Sequence, residues 1–522
     1  MNPFVRYATR WINAAVLLLL PIASVVNAQT TKADINLNRL AEAVQAINEN
    51  QLPTAEELLN SVLANSPDDA DALNLLGVVR AKEDRAAEAE RLFRRALSRS
   101  PSHVGAHINL AELFLTHSRP AEAMPILLRA YKLAPSRPDI NLNLATLYAA
   151  KGDYAPAYEH LRLVPPEAFN DDYFLLMMRT LTGLSRTDEV RDLAQRFQQS
   201  NSRNAETQAE FATLLAKAGF SDDALNILNT APQASTSFPI AYARGIVFLT
   251  LKEYDKAERF LTSALTLKPD DIATLRALAK VERATGNFEK ALSQLVQARR
   301  IAPNSAAVLY DFAATTLQMG LVLDALPIFE RLHQDHPREP AYLYGLAAAQ
   351  WTKGEVAETT RLMNNYVALQ PRDPSGWYLL GAALLRQERT AEAQSVFQRS
   401  LSLKSDPDTE YLLGVTFEKT GNRAAATETF RKIVQSAPHH AAAHAALGAA
   451  YREAGDYAAA RTELERAVAL DGDDLRASYQ LGLVYAKLGE KEAAQKMFDR
   501  ADALRKRQHD QERVILKLID AP

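Results

Sequence analysis

The chain contains no cysteine. Disulfides, thiolate metal sites, a cysteine nucleophile and a lipidated N-terminal cysteine are therefore all excluded. Neither charge is in clear excess: 60 Lys and Arg stand against 63 Asp and Glu, which gives no electrostatic reason to bind nucleic acid. Aromatic residues make up only 7 % of the chain while Ala and Leu abound, and this leans it toward helix. Nucleotide-binding and hydrolase signatures are also missing: there is no G-x-x-x-x-G-K-S/T, no G-x-S-x-G, no H-E-x-x-H and no dinucleotide-binding glycine fingerprint. These absences predict a protein that is not an enzyme and holds no cofactor.

One apolar run stands out, at the N-terminus. Arg6 and Arg10 precede the run Trp11 to Val26, and Val26-Asn27-Ala28 supplies small residues at a cut. The pattern reads as a secretory signal peptide, residues 1–28, cleaved after Ala28. Pro21 interrupts the run, which falls short of the roughly 20 residues that span a bilayer. The expected product is periplasmic or secreted, without a membrane span after cleavage, and held by packing alone.

A ruler runs through the rest. Pro67, Pro101 and Pro135 are 34 residues apart, as are Pro269, Pro303, Pro337 and Pro371. Gly286, Gly320 and Gly354 keep the same beat, and so do Gly421, Gly455 and Gly489. Such a period marks a stack of identical supersecondary units, so length no longer counts domains. Within Ile272 to Ser305, apolar residues at helical spacing form two faces separated by Gly286-Asn287, and Pro303 stops the second. Each unit is predicted to be a helical hairpin. Gly or Ala recurs at 77, 111, 145, 245, 279, 313, 347, 381, 414, 448 and 482, and Ala at 89, 123, 157, 257, 291, 325, 393, 426, 460 and 494. Small residues there let helix axes approach closely.

Leu413-Gly414-x-x-Phe417, Ala426-x3-Phe430 and Pro438 carry a known pattern, repeated in Leu447-Gly448-x-x-Tyr451 and Leu481-Gly482-x-x-Tyr485, with Trp377 before Leu380-Gly381. On these residues the chain resembles the tetratricopeptide repeat family. The resemblance implies an all-α fold, a right-handed α-solenoid of about fourteen hairpins ending in a capping helix. Residues 29–35 read as a linker, 36–165 as an N-terminal block and 166–204 as a degenerate repeat or junction. Residues 205–506 read as a C-terminal block and 507–522 as the cap and tail. Pro371 and Pro438 are one residue short of two periods, which places a deletion near Ser405 to Pro407.

The resemblance also implies a groove lined by the first helices, whose fifth, ninth and twelfth residues point inward on one stripe. The fifth position holds Tyr242, Tyr310, Tyr344, Tyr378, Tyr411 and Tyr479, with Arg276 and Ala445 as exceptions, and Trp351 stands at a twelfth position. A tyrosine ladder on an apolar floor is expected, suited to an extended segment or helix of a protein partner in the cell envelope. Stacked aromatics also suit a glycan, so a component of a polysaccharide export or assembly complex is the alternative. Asn74, Asn109 and Asn143 predict a polar, amide-rich surface in the N-terminal block. His439-His440-x3-His444 and the His103/His107 pair have metal-ligand spacing, but a shared structural register explains them without a metal. Asp471-Gly-Asp-Asp474 reads as a turn with an N-cap, not a calcium loop.

Overall fold

The computed structural model describes residues 32–200, 202, 204–231 and 236–507. The expected signal segment at 1–28 and nearly all of the expected cap at 507–522 lie outside these. Among the described residues are twenty-eight α-helices, a short 3₁₀ helix at Pro166–Ala168 and no strand.

The helices fall into two compact units, one ending at Pro269 and one beginning at Asp270. The N-terminal unit comprises the pairs α1 (Lys32–Asn48) with α2 (Leu52–Asn65), α3 (Ala70–Lys82) with α4 (Ala86–Arg99), and α5 (Val104–Thr116) with α6 (Pro120–Leu133). It continues with α7 (Pro138–Ala150) and α8 (Tyr154–Leu161), α9 (Asp171–Gly183) and α10 (Thr187–Gln199), α11 (Ala205–Lys217) and α12 (Ser221–Thr230), and α13 (Phe238–Thr250) and α14 (Tyr254–Leu267). The C-terminal unit begins with α15 (Ile272–Ala284) and α16 (Phe288–Ile301), α17 (Ala306–Gln318) and α18 (Val322–Asp335), and α19 (Pro340–Lys353) and α20 (Val356–Leu369). It closes with α21 (Pro374–Arg386) and α22 (Thr390–Leu403), α23 (Pro407–Lys419) and α24 (Arg423–Ser436), α25 (Ala441–Glu453) and α26 (Tyr457–Leu470), and α27 (Leu475–Leu488) and α28 (Lys491–Arg507). Each unit thus holds seven hairpins.

Local chemistry sets these boundaries. Asp69, Asp271, Asp406 and Asp474 each accept a hydrogen bond from the backbone N–H three residues on, which satisfies an orphan donor of the first helix. Proline opens α7, α19, α21 and α23, where its missing N–H costs nothing. At the turn inside every hairpin one residue takes a positive φ: eight glycines and six other residues, from Asn50 to Gly489. This single left-handed step per hairpin is what the glycine beat records. The expected deletion falls in the junction 404–406, three residues long where the next junction, 437–440, has four.

Packing explains the small residues. A Cβ added to Gly77, Gly381 or Gly414 would come 2.5 Å from the ring of Phe93, Phe397 or Phe430 respectively, so each aromatic ring lies flat against bare backbone. The hairpin α19–α20 departs from this scheme. Ala96, Ala264, Ala298 and Ala467 mark a small-residue position late in the second helix, but Tyr366 occupies it in α20. Gly376 makes room, since a Cβ there would lie 2.6 Å from the Tyr366 ring, and the Tyr366 hydroxyl donates to Asp373 at 2.6 Å.

The segment 166–204, expected as a degenerate repeat, is a complete hairpin built on aromatic stacking. Phe174 meets Phe197 edge-on at 5.3 Å between centroids, and Phe197 stacks on Phe211 of α11 at 4.1 Å. The pattern is lost there because Met178, Val190 and Phe197 replace the small residues; the hairpin itself persists. The boundary between compact units lies at 269/270 and not within this segment.

Candidate partner-binding face

Neighbouring first helices touch one another in both units, whereas second helices mostly contact only the first helices on either side. First helices therefore make one face of each unit, and their fifth, ninth and twelfth residues share one line along each helix, the expected stripe.

In the C-terminal unit most of the expected ladder is closed. Tyr310 is 1 % exposed, Tyr344 0 % and Tyr378 4 %, and Trp351 is buried as well. Tyr310 lies 5.7 Å from Phe329 and 5.8 Å from Tyr342 of the next hairpin, and Tyr344 lies 5.3 Å from Tyr366. Residues expected to offer an open aromatic surface are thus packing residues, because large side chains 19 to 32 residues further on cover them. The floor is closed too: Ala314, Ala348 and Ala382 are all buried. The Tyr344 hydroxyl is enclosed without a hydrogen-bond partner among the described residues, and burial drives its pKa upward.

Tyr411 and Tyr479 behave differently. Tyr411 is partly buried, with Phe430 at 5.8 Å and His440 at 5.5 Å. Tyr479 is 44 % exposed, its ring 5.7 Å from Phe498 in its own hairpin. In the N-terminal unit Phe238, Tyr242, Ile246 and Leu249 form a partly exposed apolar stripe on α13, with Phe238 and Tyr242 stacked at 6.2 Å.

The amide surface expected near Asn74, Asn109 and Asn143 is mostly an internal network. Asn74 is 2 % exposed and accepts from Asn109 Nδ2 at 2.9 Å, and Asn143 Nδ2 is buried. Beside it, at the ninth position of α5, stands Glu112. Burial pushes its carboxyl up to about 8, the Asp139 charge pushes it the same way, and Asn143 and Arg137 oppose both. Sequence spacing could place Glu112 on the stripe, but not reveal that the stripe closes over it.

The histidines are spoken for by the backbone. His103 and His440 are N-caps: their Nδ1 atoms each accept a backbone N–H at 3.0 Å, from Ala106 and Ala443. His103 Nε2 turns to Asp71 at 3.0 Å, which holds the Asp71 carboxyl below its ordinary value. His107 and His444 point a ring nitrogen at the carbonyl oxygen six residues back, Pro101 at 3.0 Å and Pro438 at 3.2 Å. Nitrogens facing these acceptors must donate, so they offer no lone pair to a metal. Asn141, Gln208 and Trp377 make the same bond, to Pro135, Ser202 and Pro371 at 2.8, 2.6 and 3.0 Å. Among the described residues, no group of three or more His, Asp or Glu is placed to hold a metal ion.

Seven hairpins in each unit, in one register and with first helices on one face, define an α-solenoid of repeated hairpins. Profiles described as "Tetratricopeptide repeat" match residues 40–104, 79–138, 114–179, 248–314, 361–408, 408–440 and 475–508, and one described as "TPR repeat" matches 441–489. The chain is built of tetratricopeptide repeats. These matches leave out 180–247, which holds Phe197 and Phe211, and 315–360. A chain in the crystal structure of the APC/C hetero-tetramer Cut9-Hcn1 resembles it at a TM-score of 0.54 and 16 % sequence identity, covering 92 % of this chain and 98 % of that one. At such identity the likeness is one of fold. No curated protein matches the sequence.

Proposed function

We propose that the chain is a non-catalytic scaffold of the bacterial cell envelope that binds a protein partner along the first-helix face. Export rests on the reading of residues 1–28. The tetratricopeptide repeats and the fold likeness support an interaction scaffold. The observation that carries the reading is the set of large, partly exposed apolar side chains left on the stripe: Tyr242 with Ile246 and Leu249 in one unit, and Tyr411 with the 44 % exposed Tyr479 in the other. Tyrosine offers broad amphipathic contact at small rotamer cost, which suits a partner segment that buries apolar surface on several repeats.

Alanine at Tyr242, Tyr411 and Tyr479 together should abolish crosslinked capture of a protein from an envelope extract while the helical circular dichroism stays unchanged. Capture at the parent level by the triple variant would overturn the proposal. Retention of the parent on a polysaccharide column, with no protein captured, would move the assignment to the glycan alternative.

A further inference from the structure

One second helix of the C-terminal unit is out of keeping with the other six. At its ninth residue the others hold Glu330, Asn364, Gln398, Arg431, Glu465 and Asp499, but α16 holds Val296, which is 37 % exposed. The next turn repeats the exception. Leu321 stands where the other hairpins of the unit have a polar residue, from Asn287 to Glu490, and is 42 % exposed. Leu323 stands where they have Ala or Glu, and at 77 % it is the most exposed large apolar side chain among the described residues. Apolar side chains in water at positions that accept polar ones mark a surface that another molecule covers.

These side chains border a groove. It runs along α16 beside Met319, just past the end of α17, and Leu292, Ser293 and Val296 line it between Glu289 at one end and Arg300 at the other. The two charges are eleven residues apart, roughly 16 Å along the helix. Both are exposed, and neither makes an ion pair among the described residues. Laid antiparallel against a copy of itself, about an axis level with Gln294 and Leu295, α16 sets Glu289 opposite Arg300 and Ser293 opposite Val296. A twofold contact requires a patch that complements itself, and here opposite charges meet at both ends with Val296 beside its own copy near the axis. The remaining charges of the helix turn aside: Lys290 points toward Glu282 at 3.9 Å, and Arg299 lies over the Phe312 ring at 5.1 Å. Like charges therefore do not confront one another across the axis.

We infer that the exposed face of α16 is the seat of a twofold contact with a second copy of this chain, closed by two Glu289–Arg300 ion pairs and widened by Leu321 and Leu323. A foreign partner would have to supply the matching pattern of charge, which a second copy already carries. Because a second helix bears it, the contact leaves the first-helix stripe to the partner proposed above, and it does not rest on that proposal.

Sedimentation equilibrium of the full chain tests it. The parent should associate to a dimer, and Val296→Glu, a residue that α18 and α26 carry at this position, should leave monomer with unchanged helicity. Glu289→Arg and Arg300→Glu should each weaken the dimer about tenfold or more, since each sets like charges opposite. The double variant E289R/R300E restores both pairs in reverse and should dimerise like the parent. A monomeric parent, a dimer unaffected by Val296→Glu, or a double variant no better than the single ones overturns the inference. So does a monomeric parent that loses a captured foreign protein on Val296→Glu, which would give the face to that protein. Alanine at Tyr242, Tyr411 and Tyr479 should leave the dimer intact, so the stripe and this contact fail separately.

Discussion

Residues 306–403 and 407–507 lie in one unit, follow one ruler and place tyrosine at the same position, yet they treat it oppositely. In the first stretch Tyr310 and Tyr344 are sealed in a continuous core with Phe329, Tyr366 and Phe397, and Tyr378 is buried as well. In the second the core breaks into small clusters around Phe430 and Leu464, and Tyr411 and Tyr479 keep part of their surface. Helical position fixes where a side chain points. Whether it is buried depends on what its own second helix and the following hairpin lay over it. Among the described residues no hairpin follows α27–α28, and Tyr479 is the most exposed of the set.

The sharpest way to break this comparison is truncation at matched positions. Tyr344→Ala should cost about 3–5 kcal/mol in denaturant unfolding, as an aromatic lost from a closed core, whereas Tyr479→Ala should cost under about 1 kcal/mol. Equal losses would show that exposure is not what separates the two stretches. The N-terminal unit extends the test, because Glu112 stands at the ninth position that Ala348 occupies in α19. Its carboxyl is raised from 4.5 to about 8 in the folded chain, so folding retains a proton that the unfolded chain releases between those values. Stability should therefore be fully present below about pH 4.5 and decline by up to about 1.4 kcal/mol per pH unit toward pH 8. Glu112→Gln should flatten that slope; parallel pH profiles for parent and variant would refute it.

Next in size is Gly345→Ala, whose Cβ would lie 2.3 Å from the Phe329 ring and should cost about 1–3 kcal/mol by the same unfolding measurement. The smallest effects separate two neighbouring hydroxyls. Tyr366→Phe removes the 2.6 Å bond to Asp373 and should destabilise by about 1 kcal/mol. Tyr344→Phe removes a hydroxyl with no partner and should be neutral or stabilising by thermal melting.

The fold was legible because its determinants are local and recur. Proline stops, glycine turns and alanine contacts each act within one hairpin, so 34-residue arithmetic recovers them. Even the deletion at 404–406 shows as a one-residue slip. The binding face was only half legible, since its direction is local but its burial is not. Tyr344 is covered by Tyr366, a large residue at a position that holds alanine in several other hairpins, and Gly376 admits that ring from yet another helix. Three such residues vary independently of the ruler, so spacing alone could not show the closure.

The side chains that reach six residues back from His107, Asn141, Gln208, Trp377 and His444 work as latches with interchangeable tongues. Each junction between these hairpins asks for one proton delivered to one oxygen and is indifferent to the group that delivers it. Tryptophan at Trp377 is therefore one answer among several. A swap of Trp377 for histidine or glutamine should leave the joint between α20 and α21 shut, whereas leucine, which has the bulk but no proton, should let it work loose.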